Sequence, residues 1–315
     1  MPNATTSRRR QGWIAGILTI VTPGLGHLYA GAPAMGALAF TAAILALDAA
    51  IAVGAYAPLG VFNLFLLFAI PIAAIAIAAR HAVHTARRSD EDYKLRPYNR
   101  WYVYVAIILL AAFVAQPIDT GLVRAYLAQA YRIPSTAMAP TILVDDYLYV
   151  RNFLRPPQAV RRGQIVVFAS LTDSGVMVMK RVTGVPADTL QMRRDTLLVD
   201  GVPQVEPFTQ HIDPSGDVAD SMMQWQAAYV TAAVDRARYV PTRSNWGPIV
   251  VPPGSYFVLG DNRDNSFDSR YYGFVPRDRV RGRPLRLYYS FDPDAPRPLR
   301  WLTAVRWHRI GEPVR

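Results

Sequence analysis

The sequence predicts a multi-pass α-helical membrane anchor joined to a mostly-β domain of antiparallel sheets on the extracytoplasmic side. Three observations predict it. The chain has 315 residues, 51% of them hydrophobic and only 18% charged, an apolar balance for a soluble protein and enough length for two or three structural units. The charge is unevenly spread, since Asp48 is the single charged residue between Gln11 and Arg80. From residue 130 the long apolar runs give way to short β-rich runs separated by turn signals.

The N-terminal third justifies the anchor. Arg8–Arg10 precede an apolar stretch that runs far beyond the length of a secretory signal and has no small-residue cleavage site, so a cleavable leader is not expected. Residues 1–32 read as a cytoplasmic N-terminus and a short or re-entrant apolar helix, broken by Pro23, Gly24, Gly26 and Gly31. The phrase Thr22-Pro-Gly-Leu-Gly-His-Leu-Tyr-Ala-Gly31 resembles a small two-helix membrane module attached to various bacterial proteins, and it names no chemistry. Residues 33–79 hold two stretches, 34–55 and 58–79, each long enough to cross a bilayer at about 20 residues. Residues 80–100 form a basic loop with Arg80, Arg87, Arg88, Lys94, Arg96 and Arg100. Residues 101–117 form a third span, opened by the interface aromatics Trp101, Tyr102 and Tyr104. Counting positive charges places both Arg8–Arg10 and the 80–100 loop in the cytoplasm. Two crossings then lie between them, and the third span delivers the rest of the chain to the outer side of a bacterial cytoplasmic membrane.

Residues 118–291 read as the β domain. Its strand candidates are Tyr147–Val150, Gln164–Ser170, Val176–Gly184, Thr189–Met192, Thr196–Val199, Tyr256–Leu259 and Pro284–Ser290, with Asp200-Gly201 among the turn signals. Residues 205–245 are poorly patterned and read as an insertion, with its own small strands or as a mobile loop. The tail, 292–315, carries Pro, Arg and Trp and suggests no role.

Composition also excludes chemistries. The chain has no cysteine, so thiol nucleophiles, Cys-ligated zinc and disulfides are ruled out. The five histidines are dispersed. His81 and His84 sit at helical spacing beside Arg87 and Arg88, which favours an interfacial role over a metal site. The net charge of +11 suits an anionic membrane surface better than nucleic acid, because the positive residues are scattered or flank apolar spans. Of 34 basic residues only Lys94 and Lys180 are lysine. Lys94 belongs to the basic loop, and Lys180 asks for an explanation.

Val176-Met-Val-Met-Lys-Arg-Val-Thr-Gly184 reads as a strand with Val176, Val178, Lys180 and Val182 on one face. A lysine desolvated by valines has its pKa lowered toward neutrality and becomes a usable general base. Arginine could not serve, because it does not deprotonate in proteins. The competing reading is an edge-strand lysine whose stem covers apolar surface while its ammonium reaches water.

Neighbouring motifs weigh on that choice. Upstream lies Ile133-Pro-Ser-Thr-Ala-Met-Ala-Pro-Thr141. Downstream of Arg162-Gly-Gln-Ile-Val-Val-Phe168 comes Lys180-Arg-Val-Thr-Gly-Val-Pro186, then Gly260-Asp-Asn-Arg-Asp-Asn-Ser-Phe-Asp-Ser-Arg270. In this order the three blocks resemble type I signal peptidase (leader peptidase), the Ser/Lys-dyad family that removes signal peptides from exported proteins. The resemblance spans roughly residues 118–291 and leaves out 1–100.

The resemblance implies a role for each matching residue. Lys180 matches the general base and Ser266 the serine that orients it. Asp268 and Arg270 match the supporting pair, with Asp261 and Asn265 in the same block. Ser135 matches a hydroxyl that helps bind the oxyanion, beside the backbone N–H of residue 137. Pro134 and Met138 match substrate-binding positions. One departure is serious, for the nucleophilic serine falls on Ala137, which has no oxygen to attack with. Three readings stay open. The chain carries an engineered Ser→Ala change, or it uses another hydroxyl, or it is an inactive homologue that binds signal peptides without cutting. Ser135 lies roughly 6–7 Å away along an extended chain, and Thr136 should point to the opposite side.

The implied function is a membrane-bound serine endopeptidase acting on signal peptides of exported preproteins. Its other partners are the lipid bilayer and the secretion machinery, with no nucleic acid, no metal and no cofactor. The rivals are a non-catalytic signal-peptide binder, a membrane transporter or lipid-interacting protein suggested by residues 12–79, and a nucleic-acid binder suggested by charge alone.

Overall fold

The computed structural model describes residues 10–89, 93–157, 159–213, 217 and 219–315. Arg8 and Arg9 of the basic N-terminus, residues 90–92 of the basic loop, and residues 214–216 and 218 of the insertion lie outside the described residues. The chain forms two compact units, Met1–Leu127 and Ala128–Arg315.

The first unit is helical: α1 (Gly12–Val21), α2 (Leu25–Tyr29), α3 (Pro33–Tyr56), α4 (Phe62–Arg87) and α5 (Trp101–Leu127). The last three are long and apolar enough to cross a membrane. Their apolar side chains mostly face outward, while the contacts between helices are made by small residues. Ala15, Ala30, Ala82 and Ala86 are buried together, and a β-carbon on Gly26 would lie 2.0 Å from the carbonyl oxygen of Ala15. Close backbone approach through small residues is how helices pack where lipid removes the hydrophobic driving force. The exposed His81 lies 2.9 Å (Nδ1) from Nε2 of the buried His27.

α5 runs past its expected end at residue 117. Pro117 lacks an N–H, and its ring should clash with the preceding turn. The turn just before it, Ala111–Ala115, is widened into a π-helix, which relieves the clash and lets the helix continue.

The second unit is built of antiparallel strands. They are β1 (Gln129–Arg132), β2 (Asp146–Asn152), β3 (Ile165–Ala169), β4 (Met177–Gly184), β5 (Thr189–Arg193), β6 (Thr196–Val199), β7 (Val202–Pro203), β8 (Trp246–Val250), β9 (Ser255–Leu259), β10 (Val275–Pro276) and β11 (Val280–Ser290). Among the described residues they form a seven-stranded sheet ordered β1-β2-β11-β3-β4-β9-β10 and a four-stranded sheet ordered β7-β6-β5-β8. Two tight turns explain the second sheet. Arg194-Asp195 and Asp200-Gly201 all have positive φ, the two-residue loop geometry whose twist matches that of the strands it joins.

Alternation along β4 divides the large sheet into two cores. Met177 and Met179 pack with Ile133, Met138, Ile142 and Leu148 on one face. Val178 and Val182 pack with Val166, Phe168 and Val258 on the other. The tail is not an appendage. Leu287 and Val314 donate backbone hydrogen bonds to Glu312 and Leu285, and Arg309 pairs with the fully buried Asp146 at 2.6 Å. It lies along β11 and completes the outer part of the domain.

Candidate active site

Strand β4 carries Lys180 into the interior, in register with Val166 of β3. The side chain is 3% exposed, and its Nζ donates to Ser266 Oγ at 2.8 Å. Burial disfavours the ammonium. It brings the lysine down from 10.5 to about 8, against the pull of the Asp268 carboxylate, which favours the charged form. Two valines rather than three produce this desolvation on the strand. Val176 lies outside β4 and is half exposed, because Asp173 and Gly175 form a turn before the strand begins. Phe168 of β3, Phe267 and Tyr272 line the same cleft as Lys180.

Arg181, one residue on, points the other way and is equally buried. It makes a two-pronged bond to Asp261, Nε to Oδ1 at 2.8 Å and Nη2 to Oδ2 at 2.6 Å. The Phe208 ring lies 3.8 Å from its guanidinium carbon. Asp261 therefore supports the site through Arg181 and has no direct bond to Lys180.

The segment after β9 holds Ser266. Asp268 and Arg270 are both fully buried and joined by two 2.8 Å bonds. Burial pushes the Asp268 carboxyl up, but the Arg270 guanidinium, Lys180 and the Gly260 amide outweigh it and hold it below the usual carboxylate value. Asp268 also caps the short helix α6 (Ser269–Tyr272) by accepting from the Arg270 amide. Arg270 in turn donates to the Arg263 carbonyl at 2.7 Å. One buried ion pair thus fixes both ends of the loop that presents Ser266.

The third component is the 133–141 segment. Ile133, Met138 and Ile142 anchor it in the core, while Pro134, Ser135 and Thr136 are exposed and Ala137 is half-buried. The Asn262 amide donates to the Ala137 carbonyl at 3.2 Å, and Asn265 Nδ2 donates to Thr136 Oγ1 at 2.9 Å. Ser135, Thr136, Ala137, Lys180 and Asn265 line one cleft of about 330 Å³. Neither Pro134 nor Met138 is part of that lining. Met138, expected to bind substrate, is 4% exposed and packs with Ile133 and Ile142 beneath the segment.

The insertion contributes contacts that no sequence pattern signals. Glu206 pairs with Arg263 at 2.6 Å. The Gln210 amide donates to the Asp261 carbonyl, and the Arg263 amide to the Gln210 carbonyl. Residues 206–210 thus strap the loop that carries Ser266. Phe208 is the one cue to them, as an aromatic in an otherwise polar stretch.

Gly260 sits where all three components meet. A β-carbon there would lie 2.2 Å from Ser266 Oγ and 2.4 Å from the Ala137 carbonyl oxygen. Gly260→Ala should displace both, with a stability loss of about 1–3 kcal/mol. Thermal unfolding checks this. An equally stable variant would contradict the packing described.

A family model described as "Signal peptidase, peptidase S26" matches residues 99–289. The chain belongs to that family. It is similar to the signal peptidase I of Bacillus licheniformis, 30% identical over 203 residues that cover 64% of this chain and 96% of the relative. It is also similar to the signal peptidase I of Leptolyngbya laminosa, 33% identical over 171 residues that cover 51% and 68% of the two chains. A crystal structure of a signal peptidase I from Enterococcus faecalis V583 is matched at 31% identity, covering 40% of this chain and 97% of that one, with a TM-score of 0.27. The matched region contains Lys180, Ser266, Asp268, Arg270 and the 133–141 segment. It also includes α5 and leaves out α1 to α4.

Proposed function

We propose that the chain is a signal peptidase I, an endopeptidase that cleaves signal peptides from exported preproteins by serine-type chemistry. The observation that carries this reading is the buried Lys180 amine donating to Ser266 at 2.8 Å beside the 135–137 segment. Lys180 serves as the general base and Asp268 and Arg270 hold it in place from behind. Asn265 fixes the 135–137 segment, whose backbone N–H at 137 and Ser135 hydroxyl receive the oxyanion. The extended cleavage region of the substrate docks along the domain as an added strand. The membrane arrangement belongs to the same proposal. In it α3, α4 and α5 cross a bacterial cytoplasmic membrane, the basic residues of 80–100 face the cytoplasm, and the β domain works on the outer side. The bilayer then holds substrate and site at one height, which favours encounter. Docking with the secretion machinery fits that location.

The test is cleavage of a preprotein by the purified full chain in detergent or vesicles, with Ala137→Ser alongside. Product with a new N-terminus at the signal-peptide junction is expected from both, and more of it from Ala137→Ser. No cleavage by either would remove the reading.

A further inference from the structure

None of residues 206–210 lines the cleft that holds Lys180. They lie behind the 261–263 backbone, which bonds in two directions. On one edge the Asp261 carbonyl accepts from the Gln210 amide at 2.8 Å, and the Arg263 amide donates to the Gln210 carbonyl at 2.9 Å. Asn262, between them, turns to the other edge. Its amide donates to the Ala137 carbonyl at 3.2 Å, and its Nδ2 donates to the Thr136 carbonyl at 3.3 Å. The 261–263 backbone is therefore a spacer with the strap on one side and the 135–137 segment on the other. We infer that the strap is a positioning element for the backbone N–H of residue 137, an inference that rests on the peptidase reading, in which that N–H receives the oxyanion.

Peptide geometry makes the link. The Thr136 carbonyl and the Ala137 N–H belong to one trans peptide plane, in which the two groups point in opposite directions. Whatever holds the carbonyl therefore aims the N–H. Asn262 Nδ2 and the Ala139 amide, the latter at 3.0 Å, hold that carbonyl. Asn262 is 1% exposed, and its place is set by the two neighbours that Gln210 bonds.

The strap also grips the spacer by side chains. Glu206 closes on the buried Arg263 guanidinium at 2.6 Å. Phe208 lies over the Arg181 guanidinium, which is itself bonded to both Asp261 carboxylate oxygens; a planar guanidinium stacked on a ring has little freedom to turn. The same carboxylate accepts from Thr141 Oγ1 at the end of the 133–141 segment. Glu206 and Phe208 thus fix Arg263 and Asp261, and Gln210 bridges the two. A donor aimed at developing charge is effective only when it is held in place beforehand, and a displacement of about 1 Å caused far from the reacting atoms can cost about 10²-fold in rate.

The test places Glu206→Gln, Phe208→Ala, the two together, and Phe208→Tyr in the full chain and in Ala137→Ser. Kinetics on one preprotein in detergent are read in whichever background cleaves it. The double variant should lose about 10–10²-fold in kcat with KM within about threefold, because the strap aims a group that acts in the transition state and does not touch bound substrate. Phe208→Tyr keeps the ring over the guanidinium and should recover most of the rate. Amide hydrogen exchange gives the local readout. The Asn262 and Ala139 amides, which bond the 137 and 136 carbonyls, should exchange faster in the double variant, while the Gly260 amide, held by Asp268, keeps its rate. A double variant with unchanged kcat, a loss carried wholly by KM, or exchange that quickens at Gly260 as much as at Asn262 overturns the inference and leaves the peptidase reading standing. Absence of cleavage in both backgrounds overturns both.

Discussion

Lys180→Ala is expected to abolish preprotein cleavage, by about 10³-fold or more, with the fold intact. A positioned base contributes about 10²–10⁴-fold, and removing one member of a catalytic unit usually costs nearly as much as removing the unit. Lys180→Arg should do equally badly. It keeps the charge and the donors, yet a guanidinium does not give up its proton in this range. That comparison separates base chemistry from charge, and circular dichroism of both variants excludes unfolding as the cause. The pH dependence follows from the same burial. The amine loses its proton near pH 8 in the fold, so the rate should climb as pH rises through about 8. Stability should move the same way. The folded state binds fewer protons than the unfolded chain between about 8 and 10.5, so resistance to denaturant rises with pH across that window. An enzyme equally fast at pH 6 and 9 would be inconsistent with Lys180 as base.

Asp268→Asn is the second large effect, and it is expected in stability before activity. Asp268 is fully buried and Arg270 is 1% exposed. Replacing one partner leaves the guanidinium buried without its counter-charge, a change that costs about 3–5 kcal/mol. For a domain of this size that corresponds to a fall of roughly 10 °C in Tm. The wild-type pair has its own pH signature. The carboxyl is held below the value it has in the unfolded chain, so its contribution is complete above about pH 4 and is lost only as pH falls further, through the folded value. Differential scanning calorimetry at pH 7 and pH 3 checks both points. The gap between wild type and Asp268→Asn should be wide at pH 7 and narrower at pH 3. A variant that melts with the wild type at pH 7 would show that Arg270 finds another partner.

Much of this was legible in the residues, and the failures have physical causes. The alternation of 177–184 put Lys180 and Arg181 on opposite faces, and two-residue turn signals such as Asp200-Gly201 located hairpins. Strand β8 escaped because Gly247-Pro248 interrupts it, and β1 because Gln129–Arg132 is short and follows a helix directly. The third span was bounded at 117 by its apolar run, and the wide turn at Ala111–Ala115 lets the helix continue through Pro117. The strap at Glu206–Gln210 gave no pattern because its hold on the site runs largely through backbone bonds and one ion pair. Those interactions depend on where the chain passes, not on periodic side chains. The Lys180–Ser266 contact joins residues 86 positions apart, and only the fold brings them together.

The central claim is that burial brings the Lys180 amine down from the ordinary lysine value far enough for its neutral form to be available near physiological pH. With two lysines in the whole chain, the side-chain resonances of isotopically labelled lysine can be followed one by one through a pH titration, and Lys94→Arg assigns them. The account predicts that Lys180 titrates near 8. A titration at the ordinary lysine value of about 10.5 would contradict it.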